Sequence, residues 1–358
     1  MAGMVETGMN GTARSGRTTG LTRTTGGPRE GTIPVCVLMS VPPRLLAVVV
    51  MALWAMCYPL IALALDDAPH LTFAALRAAL GGATLMAVAL ATGVSWPAAG
   101  RQWRWILVAG VGMTGIGYFG MFHGAEFVAP GLATVMSNGQ PLIAGLLATA
   151  FLGERTGATG WSGLVIGFVG VAVIALPSFR PGADATDLIG LAYVLLATTG
   201  VAAGHIAIKR LAEDVAPVMA MGLQLAVGAF LLAGLAIAIE DPTRIDWTGR
   251  FVLALLGLAL PGTALAFWLW QITLARLAVS QAVAFSFIVP VIGLTVGWAF
   301  FEETVTTLTI AGAVLSVIGV WLATGQGSPA EAPATPGGAW REPWSPRPSK
   351  QPPAFPDR

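Results

Sequence analysis

The chain has 358 residues, of which 55% are hydrophobic and 10% charged, against about 25% charged in a typical soluble domain. Its mean hydropathy is +0.76, and so few polar side chains cannot cover a water-facing globule of this size, which excludes an ordinary cytosolic enzyme. Lys and Arg, at 19, nearly balance Asp and Glu, at 18, so there is no basic field for nucleic acid and none is expected as a partner.

Residues 1–40 are rich in Gly, Thr and Arg and cannot bury enough apolar area to offset their ordering entropy, so they read as a disordered tail. Arg14, Arg17, Arg23 and Arg29 among Ser and Thr also suit a targeting peptide, a lesser reading beside a solvated tail or a start at Met39. Ten stretches then follow that are long enough to cross a hydrocarbon core of roughly 30 Å as helices. They run near 45–65, 71–92, 104–123, 129–152, 160–177, 187–207, 217–239, 251–271, 279–300 and 307–324. Their unbroken apolar character lacks the alternation of barrel strands. The connections are short and hold Pro, Gly and charge, as in Asp66-Asp67-Ala68-Pro69 and Gly153-Glu154-Arg155-Thr156. Residues 325–358, rich in Pro with isolated Trp340 and Trp344, read as a second disordered tail. The expected fold class is an all-α membrane protein of ten transmembrane helices, with the lipid bilayer as its surroundings.

With the N-terminus in the cytoplasm, fifteen of the 19 basic residues fall in cytoplasmic segments. The outer loops hold three, Arg180, Arg244 and Arg250, and Arg77 alone lies inside a span. The positive-inside rule therefore puts both termini in the cytoplasm of a multi-pass protein of the cell's inner or plasma membrane.

The chain also resembles itself. Residues 133–171 laid on 282–320 match at eleven of 39 positions without a gap, pairing Ser137 with Ser286, Pro141 with Pro290, Glu154 with Glu303, and Gly163 and Gly170 with Gly312 and Gly319. Near a similar offset, Asp66 and Pro69 fall on Asp214 and Pro217. Two five-span units are implied, 45–177 and 187–324, and an odd number of spans sets them in opposite orientation. Inverted repeats of this kind are the sequence signature of secondary transporters.

The residues then carry a family resemblance. Trp54, Tyr58-Pro59, Asp66-Asp67-Ala68-Pro69, Phe73-Ala74-Ala75-Leu76-Arg77, Ser137-Asn138-Gly139-Gln140-Pro141-Leu142 and Leu152-Gly153-Glu154-Arg155, with Pro290 through Phe301-Glu302-Glu303 repeating the last elements, resemble the drug/metabolite transporter superfamily. The resemblance is to members with two EamA-type domains and covers roughly residues 45–325. One departure is Ala62, where many relatives carry a Lys late in the first span. The resemblance implies a central cavity lined by spans 1, 3, 4, 6, 8 and 9.

Polar groups within the spans lead to a similar place, because in hydrocarbon they face a cavity or another helix. Ser137, Asn138 and Gln140 stand just before Pro141, and Ser286 stands before Pro290. Proline leaves the carbonyl four residues earlier without its amide partner, here that of Ser137 or Ser286. Pro141 and Pro290 are thus candidate hinges, and the groups beside them candidate ligands for substrate or ion; the alternative is a kink satisfied by neighbouring helices. Trp54 and Tyr58 share a helix face. With Tyr118, Trp268 and Gln271 they are expected to line an apolar cavity suited to a small amphipathic solute. Trp103 and Trp105 read as interfacial anchors, and Gln224 falls on a span expected to be peripheral.

No Asp or Glu lies near the middle of a span. The small four-span multidrug exporters, distant cousins by the resemblance, use a first-span Glu, and none stands between Leu45 and Leu65. The candidate proton relays are His123, beside Glu126, and His205, weighed against simple hydrogen-bonded or hydrated roles. Arg77 is expected to snorkel outward or to pair with Asp66 or Asp67. Glu154 and Glu303 are expected to start the helix that follows each. Lys209 and Arg210 suit a helix C-terminus. Gly163, Gly167 and Gly170, with Gly312, Ser316 and Gly319, form small faces for internal packing, with a homodimer interface as the lesser alternative.

Cys36 and Cys57 imply no disulfide, three scattered His imply no metal, and no phosphate-binding loop appears, so no cofactor and no ATP are expected. Neither a Ser-His-Asp set nor paired carboxylates argue for an enzyme. Cations are too few for phosphorylated substrates. The expected function is a secondary transporter moving a small metabolite by alternating access, an exporter of amino acids or close analogues. Drug efflux, solute uptake and a non-transporting receptor or scaffold acting through the tails are the alternatives.

Overall fold

The computed structural model describes residues 40–64, 66–98, 100–124, 127, 137–176, 185–212, 214–301 and 305–325. Apart from Ser40 and Gly325, the two terminal segments read above as tails, together with Glu126, Glu302 and Glu303, lie outside the described residues. Among the described residues every regular element is helical. Helix α1 runs Pro43–Ala55 and continues as Cys57–Ala64, and α2 is His70–Ala91. Helix α3 consists of Gly100–Ala109, a π-helical stretch Gly110–Ile116, and Gly117–Gly124. Helix α4 is Gln140–Leu147 followed by π-helical Ala148–Leu152; α5 is Ala158–Ala175, α6 Ala185–Leu211 and α7 Pro217–Ile239. Helix α8 consists of Gly249–Ala259, π-helical Leu260–Leu265 and Ala266–Arg276. Helix α9 joins Val279–Ala284, a 3-10 turn Phe285–Phe287 and Ile288–Phe301, and α10 is Thr307–Gly325. Among the described residues nine helical stretches are long and apolar enough to cross a membrane. The tenth, Gln140–Leu152, is shorter; the expected span over 129–152 begins in residues that are not described.

Local chemistry explains the starts, stops and breaks. Pro43 and Pro217 open α1 and α7, where a missing amide costs nothing. Thr248 caps α8 by accepting from the Phe251 amide at 3.0 Å. Thr306 and Thr309 cap α10 reciprocally, each amide donating to the other's hydroxyl at 2.9 and 3.2 Å. Gly93 and Gly153, both at φ 69°, end α2 and α4 in the left-handed region that favours glycine. Prolines mark several of the irregularities, since each removes an amide from the ladder, whereas the π stretches of α3 and α4 contain none. Pro59 follows the break at Met56, Pro261 lies in the π stretch of α8, and Pro290 follows the 3-10 turn of α9. Pro141 sits at the second position of the described α4, after a turn at Asn138 and Gly139.

Helix α2 packs along α7, and α5 along α10. Inside these pairs α3 packs on α6, α1 on α8, and α4 and α9 on each other. Small residues set the closest approaches. A Cβ on Gly170 would lie 2.6 Å from Ser316 Oγ and 2.7 Å from the Gly312 carbonyl, so the small faces of α5 and α10 are occupied by each other.

Polar ends lock the bundle across long sequence distances. The Glu154 carboxylate accepts from the Val279 and Ser280 amides at 2.7 and 3.3 Å, so it caps α9 rather than the expected next helix, α5. Glycine at 153 turns the chain so that Glu154 meets the exposed amides of a helix 125 residues away. Glu240, at the end of α7, likewise caps α2 through the Leu71 and Thr72 amides, each at 2.9 Å. Cations cover helix C-termini: Arg44 donates to the Thr324 carbonyl, Lys209 to those of Leu274 and Leu277, and Arg210 to that of Phe151.

Candidate functional site

Helices α1, α3, α4, α6, α8 and α9 enclose a cavity of about 540 Å³, and α2 contributes His70 and Arg77 to its lining. Beside the cavity α1, α2 and α8 come close. A Cβ on Gly81 would lie 2.8 Å from Thr263 Cγ2, and one on Gly262 would lie 2.7 Å from Cys57 Sγ. This proximity brings the Thr263 hydroxyl, on the π stretch of α8, within 2.8 Å of Arg77 Nε. A π turn is a recurrent device for turning one side chain out of helical register, often at functional sites.

Arg77 itself is 6% exposed. It neither snorkels to the surface nor pairs with Asp66 or Asp67, contrary to expectation. Asp67 is taken by Arg250 at 3.0 Å, and this bond holds its carboxyl below the ordinary value although burial opposes it. Two turns into α2, the Arg77 guanidinium turns into the bundle, where the Tyr118 ring lies 5.1 Å away and Cys57 Sγ 3.6 Å away.

Part of the lining is aromatic. Trp54 packs on Trp270 at 5.3 Å and on Phe267 at 5.7 Å, and Trp270 meets the His205 ring at 5.2 Å. Gln140 Nε2 lies 3.1 Å from His205 Nδ1. With the amide donating, the neutral ring carries its proton on Nε2. His205 Nε2, Trp270 Nε1 and Ser286 Oγ are buried without a hydrogen-bond partner among the described residues, and all three residues line the cavity. Such groups are costly unless a ligand or water meets them.

The expected site residues divide as follows. Trp54, Tyr118, Ser137, Asn138, Gln140, His205 and Ser286 line the cavity together. Tyr58 lies in Cys57–Ala64, but its side chain is outside the described residues. Trp268 is half-buried and not part of the lining, where Trp270 stands instead. Residues two apart point to opposite sides of a helix, and the π stretch upstream shifts the phase that sequence spacing would suggest. Gln271 is fully buried behind the wall, its amide without a described partner. His123 does not line the cavity itself but stacks on the lining residue His70 at 6.1 Å, among the rings of Phe119, Tyr193 and Phe127 at 5.3, 5.1 and 5.4 Å. Pro141 and Pro290 shape the helices beside the cavity without lining it. Gln224, expected to be peripheral, is buried and accepts from Thr114 at 2.8 Å. Sequence reasoning did not place Arg77 or Trp270 in the cavity lining, nor Thr263 as the partner of Arg77. The cost of an arginine inside a span was the one signal that could have found Arg77.

A bundle of apolar, spanning-length helices around an internal cavity is the build of a multi-pass membrane protein. The model of the EamA-like transporter family matches residues 43–176 and 188–325, and the chain belongs to that family. It is 28% identical over 279 residues to the uncharacterized transporter YvbV of Bacillus subtilis, covering 78% of this chain and 90% of that protein. It is 26% identical over 301 residues to a probable amino-acid metabolite efflux pump of Escherichia coli, covering 79% and 95%. It is 28% identical over 277 residues to a probable terminal-alkyne amino-acid exporter of Streptantibioticus cattleyicolor, covering 75% and 89%. One solved structure, titled only as the crystal structure of a protein, superposes with a TM-score of 0.68 at 24% identity, covering 79% of this chain and 96% of that chain, and shares its fold.

Proposed function

We propose that this protein is a secondary transporter that moves a small metabolite across the cytoplasmic membrane by alternating access, and that it exports amino acids or close relatives of them. The observation that carries this reading is the cavity itself. Its volume of about 540 Å³ lies in the usual range for small-molecule sites, and it combines apolar aromatic walls with a few directed polar groups. Helices from both family-matched segments build it.

Alternating access follows from reading those segments as inverted repeats. Counted from Gly100 and Gly249, Thr114 and Thr263 are both fifteenth in their helices, and each lies in a π stretch. Counted from His70 and Pro217, Arg77 and Gln224 are both eighth. Arg77 meets Thr263 and Gln224 meets Thr114, so the same contact occurs twice. Exchange of the two halves' conformations opens the cavity first to one side and then to the other, with Pro141 and Pro290 as hinges. Arg44, Arg101, Lys209, Arg210 and Arg276 bond at one end of the bundle, which supports placing that end and both termini in the cytoplasm. Two relatives, a probable amino-acid metabolite efflux pump and a probable terminal-alkyne amino-acid exporter, support amino acids as the solute class. Trp54, Trp270, Ser137, Asn138, Gln140 and Ser286 then contact substrate, and His205 is the candidate proton carrier.

Solute counterflow with the purified chain in liposomes tests this. A mixed pool of amino acids and other metabolites is loaded and release is read by mass spectrometry. The reading requires release of a defined class, weakened in Gln140→Ala. Folded protein that releases nothing from the pool would overturn it.

A further inference from the structure

Arg77 is a full positive charge inside the bundle, and no described carboxylate meets it. Its guanidinium has five N–H donors. One goes to Thr263 and one to the Cys57 thiol, which leaves three without a partner among the described residues. The described cavity lining contains no Asp or Glu at all. A buried cation with open donors and no counter-ion is unfavourable unless an anion reaches it, and here it borders a cavity that can hold one. Gln224 holds the equivalent eighth position of α7, but it is neutral, fully buried, absent from the lining and satisfied by Thr114 and Met221. The same helix contact is thus made without charge in one half, so packing alone does not require the arginine.

We infer that Arg77 binds the carboxylate of the transported solute, so that the substrates are small monocarboxylates in which the carboxylate is required and the amino group is dispensable. This rests on the reading of the cavity as the substrate site. Two of the three open Nη donors suit a planar carboxylate, and the Tyr118 ring against the guanidinium and the Thr263 hydroxyl on Nε hold the fork in place. An ammonium finds no acidic side chain in the described lining; it finds neutral oxygens of Ser137, Asn138 and Ser286 and the ring faces of Trp54 and Trp270. The aromatic wall receives the rest of the solute.

Thermal unfolding of the purified full chain tests binding without requiring transport, because a ligand that binds the folded state raises the midpoint with the logarithm of its concentration relative to Kd. The probes are the amino acids, their α-carboxamides, their decarboxylated amines and their deaminated acids. Several acids are expected to raise the midpoint, with or without the amino group. The matching carboxamides and amines should need about 10- to 100-fold higher concentration, the size of a lost charge-assisted hydrogen-bond pair. Arg77→Gln should lose the preference for acid over amide, and Arg77→Lys should keep part of it. Should Arg77→Gln fail to fold, the wild-type comparison and Arg77→Lys still decide. Equal stabilisation by acids and amides, no stabilisation by any acid, or an acid preference that survives in Arg77→Gln would overturn the assignment. Acid-selective binding with no counterflow would leave Arg77 as the carboxylate site and remove the transport reading instead.

Discussion

Removal of the Glu154 carboxylate should loosen a cavity wall from its far end. Glu154 takes the Val279 amide at 2.7 Å, the Ser280 amide at 3.3 Å and the Ser280 hydroxyl at 3.2 Å, all at the start of α9. Helix α9 carries Val283, Ser286 and Val289 into the lining. In Glu154→Ala the first amides of α9 lose a charged acceptor, and hydrogen bonds to charged groups contribute about 1.5–3 kcal/mol each. Because the site is only partly buried, water replaces some of this, so the expected loss is about 2–3 kcal/mol rather than the full sum. At roughly 2 °C per kcal/mol for a chain of this size, the midpoint should fall by about 4–6 °C. Glu154→Gln keeps an acceptor and loses only the attraction between charge and helix end, about 1 kcal/mol, so it should fall in between. The assay is thermal unfolding in detergent, with retained monodisperse protein as the readout. Equal midpoints for wild type, Glu154→Gln and Glu154→Ala would refute the capping argument.

Other outcomes follow from the same contacts. Gly170→Val forces a side chain against Ser316 and the Gly312 carbonyl, so α5 and α10 must separate at a cost of about 3 kcal/mol or more, read as lost folded yield; normal yield would contradict that packing. Thr114→Val leaves the buried Gln224 oxygen without its donor and should cost about 1–3 kcal/mol in the same unfolding assay, whereas an unchanged midpoint would mean the pair is not formed. Trp270→Phe removes an indole N–H with no described partner together with part of a fully buried ring, so a loss of about 1 kcal/mol in the same unfolding assay should accompany a change of solute selectivity in counterflow, and unchanged selectivity would take the indole N–H out of solute contact. Asp67, bonded to Arg250, has a lowered folded value, so its contribution is present above the ordinary 3.8 and is lost as pH falls through the lowered value. Asp67→Asn should flatten that acid limb of the stability–pH curve, and an unchanged limb would assign it to other groups.

The spans were legible because a hydrocarbon core of fixed thickness imposes a length and a composition on each helix. The polar cluster before Pro141 was legible because polar groups in a span have few places to go; Ser137, Asn138 and Gln140 share the cavity with Trp54. What sequence could not give was partnership across the fold. Arg77 depends on Thr263, 186 residues away, and the π stretch that presents Thr263 has no hydropathy signature. The same stretch shifts the phase of α8, so spacing favoured Trp268 where Trp270 reaches the cavity. Glu154 is adjacent to α5 in sequence but bonds α9, because the turn at Gly153 redirects it.

Alternating access through this cavity is tested most directly at Cys57, which lines it beside Arg77. In a Cys36→Ser background, a membrane-impermeant thiol reagent is applied to sealed vesicles of each orientation and modification is read on the Cys57 peptide. The account predicts modification from both faces, slowed from each by a transported solute. Modification from one face only, whatever the solute present, would contradict it.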